Sequence, residues 1–320
     1  MRCLTLIAFT LVASGSAFAS YELMLLPTSN GRVARFDPVS QIGLGQYGPT
    51  NGAILRGQVN YRASDGISWL TTSGGTTSFD TGTGTPVNSS NFPSGITRIS
   101  PEGGRLFEVD GVRIYRTDPD TLAQNSTNVP NAAAFNFVAP YSNNSCLIGY
   151  ADSNLNNFVI SYNAVTNTFG TALAVGLGFT AGSFGGAQSL KVGSSMTYRT
   201  IGKSGGTNVI ATFASTDGIN YNQSFLSLGA LPQFSSTATL SMMLGHGNTF
   251  YVVGDDISAA TTTRISWYRS DGTNIGTYTT TAVDVPTGAW SGYSIIAPEP
   301  SSLGLLAVSA LMLMRRRKKA

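Results

Sequence analysis

Side chains that carry conventional enzyme chemistry are scarce in this 320-residue chain, which has two cysteines and one histidine. His246 lies in Leu244-Gly245-His246-Gly247-Asn248, so a histidine-rich metal site and any two-histidine mechanism are excluded, and the flanking glycines mark it as a turn residue. No Gly-x-Ser-x-Gly elbow is present to build a serine nucleophile. Charge is also thin, at 11% of residues, and no apolar run reaches the ~20 residues that span a bilayer untilted. Two shorter runs do occur, one at each end, and each has the flanks of a targeting segment.

At the N-terminus, Met1-Arg2 is followed by an apolar stretch from Leu4 to Val12 and then by Ala17-Phe18-Ala19. A small cationic start, a short apolar core and a small-x-small site are the parts of a secretory signal peptide over residues 1–19, cut by signal peptidase after Ala19, with Ala17 and Ala19 as the recognition pair. Cys3 would leave with the signal, so Cys146 remains as one cysteine without an intramolecular partner. It reads as a small buried hydrophobe.

At the C-terminus, Pro298-Glu299-Pro300-Ser301-Ser302 precedes an apolar run from Leu303 to Met314, and Arg315, Arg316, Arg317, Lys318 and Lys319 follow. The prolines break regular structure, the apolar run can enter a bilayer as a helix, and the cations resist translocation and stay inside. This tail resembles the PEP-CTERM sorting signal, also described as an ice-binding-protein C-terminal motif. The resemblance covers residues 297–320 and implies export through the inner membrane, transient insertion of the apolar segment and cutting by a membrane exosortase. It places the body at the cell surface or outside, beside exopolysaccharide or other biofilm matrix components.

With both signals set aside, 13 cationic and 15 anionic residues remain in the body. The sequence pI of about 8.9 therefore belongs to the tail, and no basic, aromatic-rich patch suggests a nucleic-acid partner. Gly numbers 37 and aromatics make up 10%, which together with abundant Thr, Ser and Asn fits an exported all-β domain over residues 20–296. Alternation is clearest in Arg113-Ile114-Tyr115-Arg116, Phe158-Val159-Ile160-Ser161-Tyr162 and Arg264-Ile265-Ser266-Trp267-Tyr268. Asn30-Gly31, Asn51-Gly52, Asp65-Gly66, Asp110-Gly111, Asp217-Gly218 and Asp271-Gly272 supply turns between such strands.

An aromatic near an Asp/Asn turn recurs at Phe36, Trp69, Tyr115, Tyr162, Tyr221 and Tyr268, about 46 residues apart on average. That period predicts a β-propeller of six or seven four-stranded blades, followed by a separate C-terminal transmembrane-like helix. A pair of β-sandwich domains or a β-solenoid would also give strands and Asp/Asn-Gly turns. The segment from Gly31 to Gly45 resembles a hairpin of NHL-like and quinoprotein-like propellers, and Arg62–Trp69 and Ala214–Tyr221 resemble degenerate Asp-boxes of sialidase-like propellers. Thr71 to Ser94, rich in Thr, Gly and Ser, is expected as a long exposed loop or blade insertion.

Glu102, Glu108, Asp110, Asp118 and Asp120 are the carboxylates a glycoside hydrolase or lyase could draw on, yet all sit in turn-like contexts where they would be solvated. Asp255-Asp256 lacks the further oxygen ligands a calcium ion wants. Trp69, Tyr115, Tyr221, Trp267, Tyr268 and Trp290 could stack on sugar rings or pack the blade cores. No cofactor is expected. The sequence thus points to a non-enzymatic binding module, with a secreted carbohydrate-active enzyme on the same scaffold or a purely structural coat protein as alternatives. Ice binding is disfavoured by the lack of a regular Thr-x-Thr array.

Overall fold

The three alternating segments are strands, as their β-branched and aromatic residues require, and each is the third strand of its own sheet. The computed structural model describes residues 20–298 apart from 28–31, 38–41, 49–57, 63, 73–74, 91–94, 176–179, 182–186, 193–194, 205, 233–239, 245–248, 256–262, 270 and 280–292. The expected C-terminal helix falls outside the described residues. Among the described residues no helix is long and apolar enough to cross a membrane.

Six antiparallel sheets follow one another. Blade 1 joins β1 (Ser20–Pro27), β2 (Val33–Asp37) and β3 (Ile42–Tyr47) to the last strand, β26 (Tyr293–Pro298). Blade 2 contains β4 (Gln58–Arg62), β5 (Ile67–Thr72), β6 (Gly75–Asp80) and β7 (Pro86–Ser90). Blade 3 contains β8 (Ile96–Ile99), β9 (Leu106–Asp110), β10 (Arg113–Thr117) and β11 (Gln124–Asn128). Blade 4 contains β12 (Ala134–Ser142), β13 (Ser145–Ala151), β14 (Asn157–Asn163), β15 (Thr168–Phe169) and β16 (Leu173–Ala174). Blade 5 contains β17 (Thr180–Ala181), β18 (Ala187–Val192), β19 (Ser195–Ser204), β20 (Thr207–Ser215) and β21 (Asn222–Gly229). Blade 6 contains β22 (Ser241–Leu244), β23 (Thr249–Asp255), β24 (Thr263–Arg269) and β25 (Asn274–Thr279).

The arrangement is a β-propeller: five sheets of consecutive strands and a composite one in which both ends of the body meet. Innermost strands β26, β4, β8, β12, β18 and β22 touch in that order around the ring. The blades are not uniformly four-stranded, since blades 4 and 5 each have a fifth strand where the first or last position is split into two short pieces. Asp65-Gly66, Asp110-Gly111, Asp217-Gly218 and Asp271-Gly272 are turns with their glycines at φ between 59° and 88°, the left-handed region that a side chain disfavours.

The core lies between blades, where facing sheets bury their side chains against each other. Leu25, Val33, Val59, Leu70 and Phe79 fill the seam of blades 1 and 2. Phe107, Val109, Ile114, Ile148, Tyr150 and Tyr162 fill that of blades 3 and 4. Phe137, Leu147, Val159, Tyr198 and Phe213 join blades 4 and 5, and Ile201, Ile210, Phe250, Val252 and Tyr268 join blades 5 and 6. Cys146 is fully buried in the seam of blades 3 and 4, and burial pushes its thiol pKa up.

Of the stretch expected as an exposed loop, residues 71–94, the described part instead belongs to blade 2, in the end of β5, in β6 and in β7. Thr71, Thr76, Thr77, Ser78 and Phe79 are all buried in strands β5 and β6. Hydroxyls replace aliphatic groups there and satisfy one another, Ser68 with Thr81 at 2.7 Å and Thr71 with Thr76 at 3.1 Å. Paired hydroxyls can be buried at little cost, so low apolar content does not mark a loop.

Candidate functional site: the turn face and the polar seam

Alternating strand direction puts the first-to-second and third-to-fourth turns of every blade at one end of the ring, here called the turn face. The second-to-third turns and the inter-blade crossovers lie at the other. Asp80, Asp118, Asn163, Asp217 and Asp271 each open the third-to-fourth turn of blades 2 to 6, and each accepts backbone N–H bonds from inside its turn. Asp118 takes the N–H groups of Asp120 and Thr121 at 2.9 and 2.8 Å, and Asp217 takes those of Ile219 and Asn220 at 2.8 Å. These donors favour the ionised carboxylate and hold Asp80, Asp118, Asp217 and Asp271 below the usual carboxylate pKa. Short polar side chains bonding their own backbone two or three residues on explain the recurring Asp and Asn of the sequence.

Neighbouring blades grip these turns. Arg62 of blade 2 donates to Asp65 in its own hairpin, to Asp120 of blade 3 at 2.6 Å and to the Gly103 carbonyl at 3.2 Å, with its guanidinium 5.0 Å from the centre of the Trp69 ring. Asn143 of blade 4 accepts from Ser100 Oγ and Gly104 N of blade 3 and donates its own N–H to Glu102 at 2.9 Å. Arg116 reaches the Ala164 carbonyl of blade 4 at 3.0 Å, and Tyr141 the Thr216 carbonyl of blade 5 at 3.1 Å. Glu102, Asp118 and Asp120 are thus structural clamps and caps.

Glu108 is the exception among the five carboxylates. The sequence suggested a solvated turn, whereas the residue is 2% exposed in the middle of β9. It shares a sheet face with Leu106, which packs with Trp69 and Ile99 in the seam of blades 2 and 3. That seam is the polar one. Asn60, fully buried on β4, donates to the Thr97 carbonyl at 3.1 Å and accepts the Ile99 N–H at 3.0 Å, stitching the inner strands of the two blades together. Glu108 accepts the Gly95 N–H at 3.1 Å, and burial, reinforced by the charge of Asp110, raises its pKa to about 8. Asp110 stands two residues along the same face of β9. A carboxyl 2% exposed inside a seam is out of reach of a sugar ring.

Asn60→Ala is expected to cost about 1–3 kcal/mol, because it leaves the buried Ile99 N–H without its acceptor, while the Thr97 carbonyl keeps the Arg98 guanidinium at 2.8 Å. Urea denaturation checks this, and a loss under about 0.5 kcal/mol would show that the seam does not depend on the amide.

The aromatics considered for sugar stacking divide differently. Trp69 and Tyr268 are buried, while Tyr115 and Tyr221 are partly buried, Tyr221 packing against the core of blades 4 and 5. The Trp267 side chain and Trp290 lie outside the described residues, as do His246 and Asp256. Asp255 ends β23. Among the described residues no group of His, Cys, Asp and Glu could hold a metal ion. Of the residues the sequence assigns to targeting, Pro298 ends β26 opposite Ser20. Ala17, Ala19, Glu299, Pro300, Arg315, Arg316 and Arg317 lie outside the described residues. Asn60, Arg62 and Asn143 had no signal in the sequence, where each is one polar residue among many.

No family model matches the chain, and no curated protein does. Solved structures are similar in fold. A chain of the nidogen/laminin complex aligns at a TM-score of 0.59 and 9% identity over 86% of this chain and 99% of its own. TolB from Acinetobacter baumannii aligns at 0.57 and 12% over 87% and 67%, and a protein of unknown function from Bacteroides caccae at 0.57 and 10% over 86% and 99%. At such identities the likeness concerns the propeller fold.

Proposed function

We propose that this chain is an exported, C-terminally sorted propeller that serves at the cell surface or in the extracellular matrix as a non-enzymatic binding or structural module. The observation that carries the reading is where the body starts and stops. Strand β1 begins at Ser20, directly after the proposed signal cut, and β26 ends at Pro298, the first residue of Pro-Glu-Pro. Among the described residues the strands thus run from Ser20 to Pro298, which supports a body lying between the two targeting segments and reaching two residues past 296.

The non-enzymatic part is supported by the carboxylates. Asp80, Asp118, Asp217 and Asp271 cap turns, Asp65 and Asp120 pair with Arg62, and Glu108 is sealed in a seam. Exopolysaccharide or matrix proteins are the partners this reading assigns. Intact-mass measurement of the protein recovered from outside the cell is expected to give Ser20 as its N-terminus and to lack the apolar-basic tail. A full-length C-terminus on the external protein would overturn the sorting reading, and glycan hydrolysis by it would overturn the non-enzymatic one.

A further inference from the structure

We propose that the turn face rests on a phospholipid bilayer, dipping a ring of aliphatic side chains into the interfacial region while the tail is still attached. This rests on the tail being a membrane segment, and it adds which side of the propeller meets the lipid. Ile42, Val87, Val165, Ile219 and Ile275 are 55%, 62%, 70%, 61% and 40% exposed. They come from five different blades and occupy one structural place, the third-to-fourth turn or the first two residues of the outer strand after it. Blade 3 differs, because Leu122 in its turn folds inward and is 7% exposed. A single exposed apolar residue is ordinary on a protein surface, but recurrence at one rim around the ring gives a face with a set of aliphatic contacts.

The chain itself brings that face to the membrane. Strand β26 runs toward the turn face and ends there at Pro298, paired with Ser20. Four residues, Glu299 to Ser302, separate it from the apolar run, a reach of at most about 18 Å. With so short a connection, a membrane-inserted tail holds the turn face against the headgroups, leaving the crossover face to the outside. Charge selects the lipid. Asp80, Asp118, Asp217 and Asp271 lie on the same face, with Asp65 and Asp120 there paired to Arg62, so zwitterionic headgroups fit it better than a strongly anionic surface. The aliphatic tips alone are a weak anchor, and the body leaves once the tail is cut.

The test uses the chain from Ser20 to Ala320, which lacks the signal and Cys3 and keeps the tail, bound to phosphatidylcholine vesicles containing a nitroxide-labelled lipid. Cys146 is buried, so single cysteines at Val165→Cys, Ile219→Cys or Val112→Cys take the fluorophore. Val112 is 44% exposed in the β9–β10 turn of the crossover face. Quenching at 165 and 219 is expected to exceed that at 112 by roughly threefold, as interfacial burial of about 5–10 Å requires. It should fall toward the value at 112 when Ile42→Asp and Ile275→Asp are added, without loss of vesicle binding. Equal quenching at the three sites in a chain that floats with the vesicles overturns the docking face and leaves the tail reading intact. A chain that fails to float overturns both, and dimerisation through the rim without lipid assigns the face to a second copy.

Discussion

Glu108→Gln is expected to stabilise the protein at pH 9 by about 3–5 kcal/mol and to flatten its stability between pH 5 and 9. In the folded wild type the carboxyl titrates at about 8, against an ordinary value of 4.5. Between those values the folded state holds a proton that the unfolded state has released. Stability therefore falls as pH rises through this window, and above pH 8 the full cost of a buried carboxylate is present. Glutamine keeps the shape and an oxygen that can accept the Gly95 N–H, but cannot ionise. The four aspartates held below the ordinary range act in the opposite direction: their contribution is present above about pH 4 and lost below it, which keeps them out of the measurement. Urea denaturation of both proteins at pH 5, 7 and 9 decides it. A wild-type profile no steeper than that of the variant would show that Glu108 ionises freely in the folded state.

The same residue shows where sequence reasoning stopped. Glu108 lies in Leu106-Phe107-Glu108-Val109-Asp110, an alternating strand whose polar positions would be solvated if one sheet face met water. In a propeller both faces meet another blade, so alternation does not separate inside from outside. The repeat was legible because its chemistry is local. Phe36, Tyr115, Tyr162 and Tyr268 all lie in third strands, of blades 1, 3, 4 and 6. Trp69 and Tyr221 are out of register: Trp69 sits in a second strand and Tyr221 just after a third-to-fourth turn, and the equivalent third strands carry Phe79 and Phe213. Asp-Gly pairs occur at first-to-second turns, as Asp65-Gly66, and at third-to-fourth turns, as Asp217-Gly218, so the dipeptide alone cannot number the strand. Inter-blade clamps such as Arg62 with Asp120, 58 residues apart, have no local signature.

Ending the chain at residue 292 is expected to have the largest effect of any change considered, a fall in Tm of more than about 10 °C or loss of a single cooperative transition. Strand β26 pairs with β1 over six residues, Ser20 with Pro298 through Leu25 with Tyr293. It also fills the place between inner strands β22 and β4. Its removal turns β1 into an inner edge with unpaired backbone groups and leaves blades 6 and 1 without a common strand, so the ring can open at that seam. An exposed strand edge is also a template for pairing with another copy, and the truncated chain should associate as concentration rises. A chain ending at Pro298 retains every one of these pairs and should melt with the full-length protein. The comparison separates closure from the tail: if truncation at 298 costs as much as truncation at 292, the stabilising element lies beyond Pro298, and if neither costs more than about 2 °C, β26 does not close the ring. The expected asymmetry makes Pro298 a structural boundary, because any cut upstream of it within β26 must first peel that strand from β1.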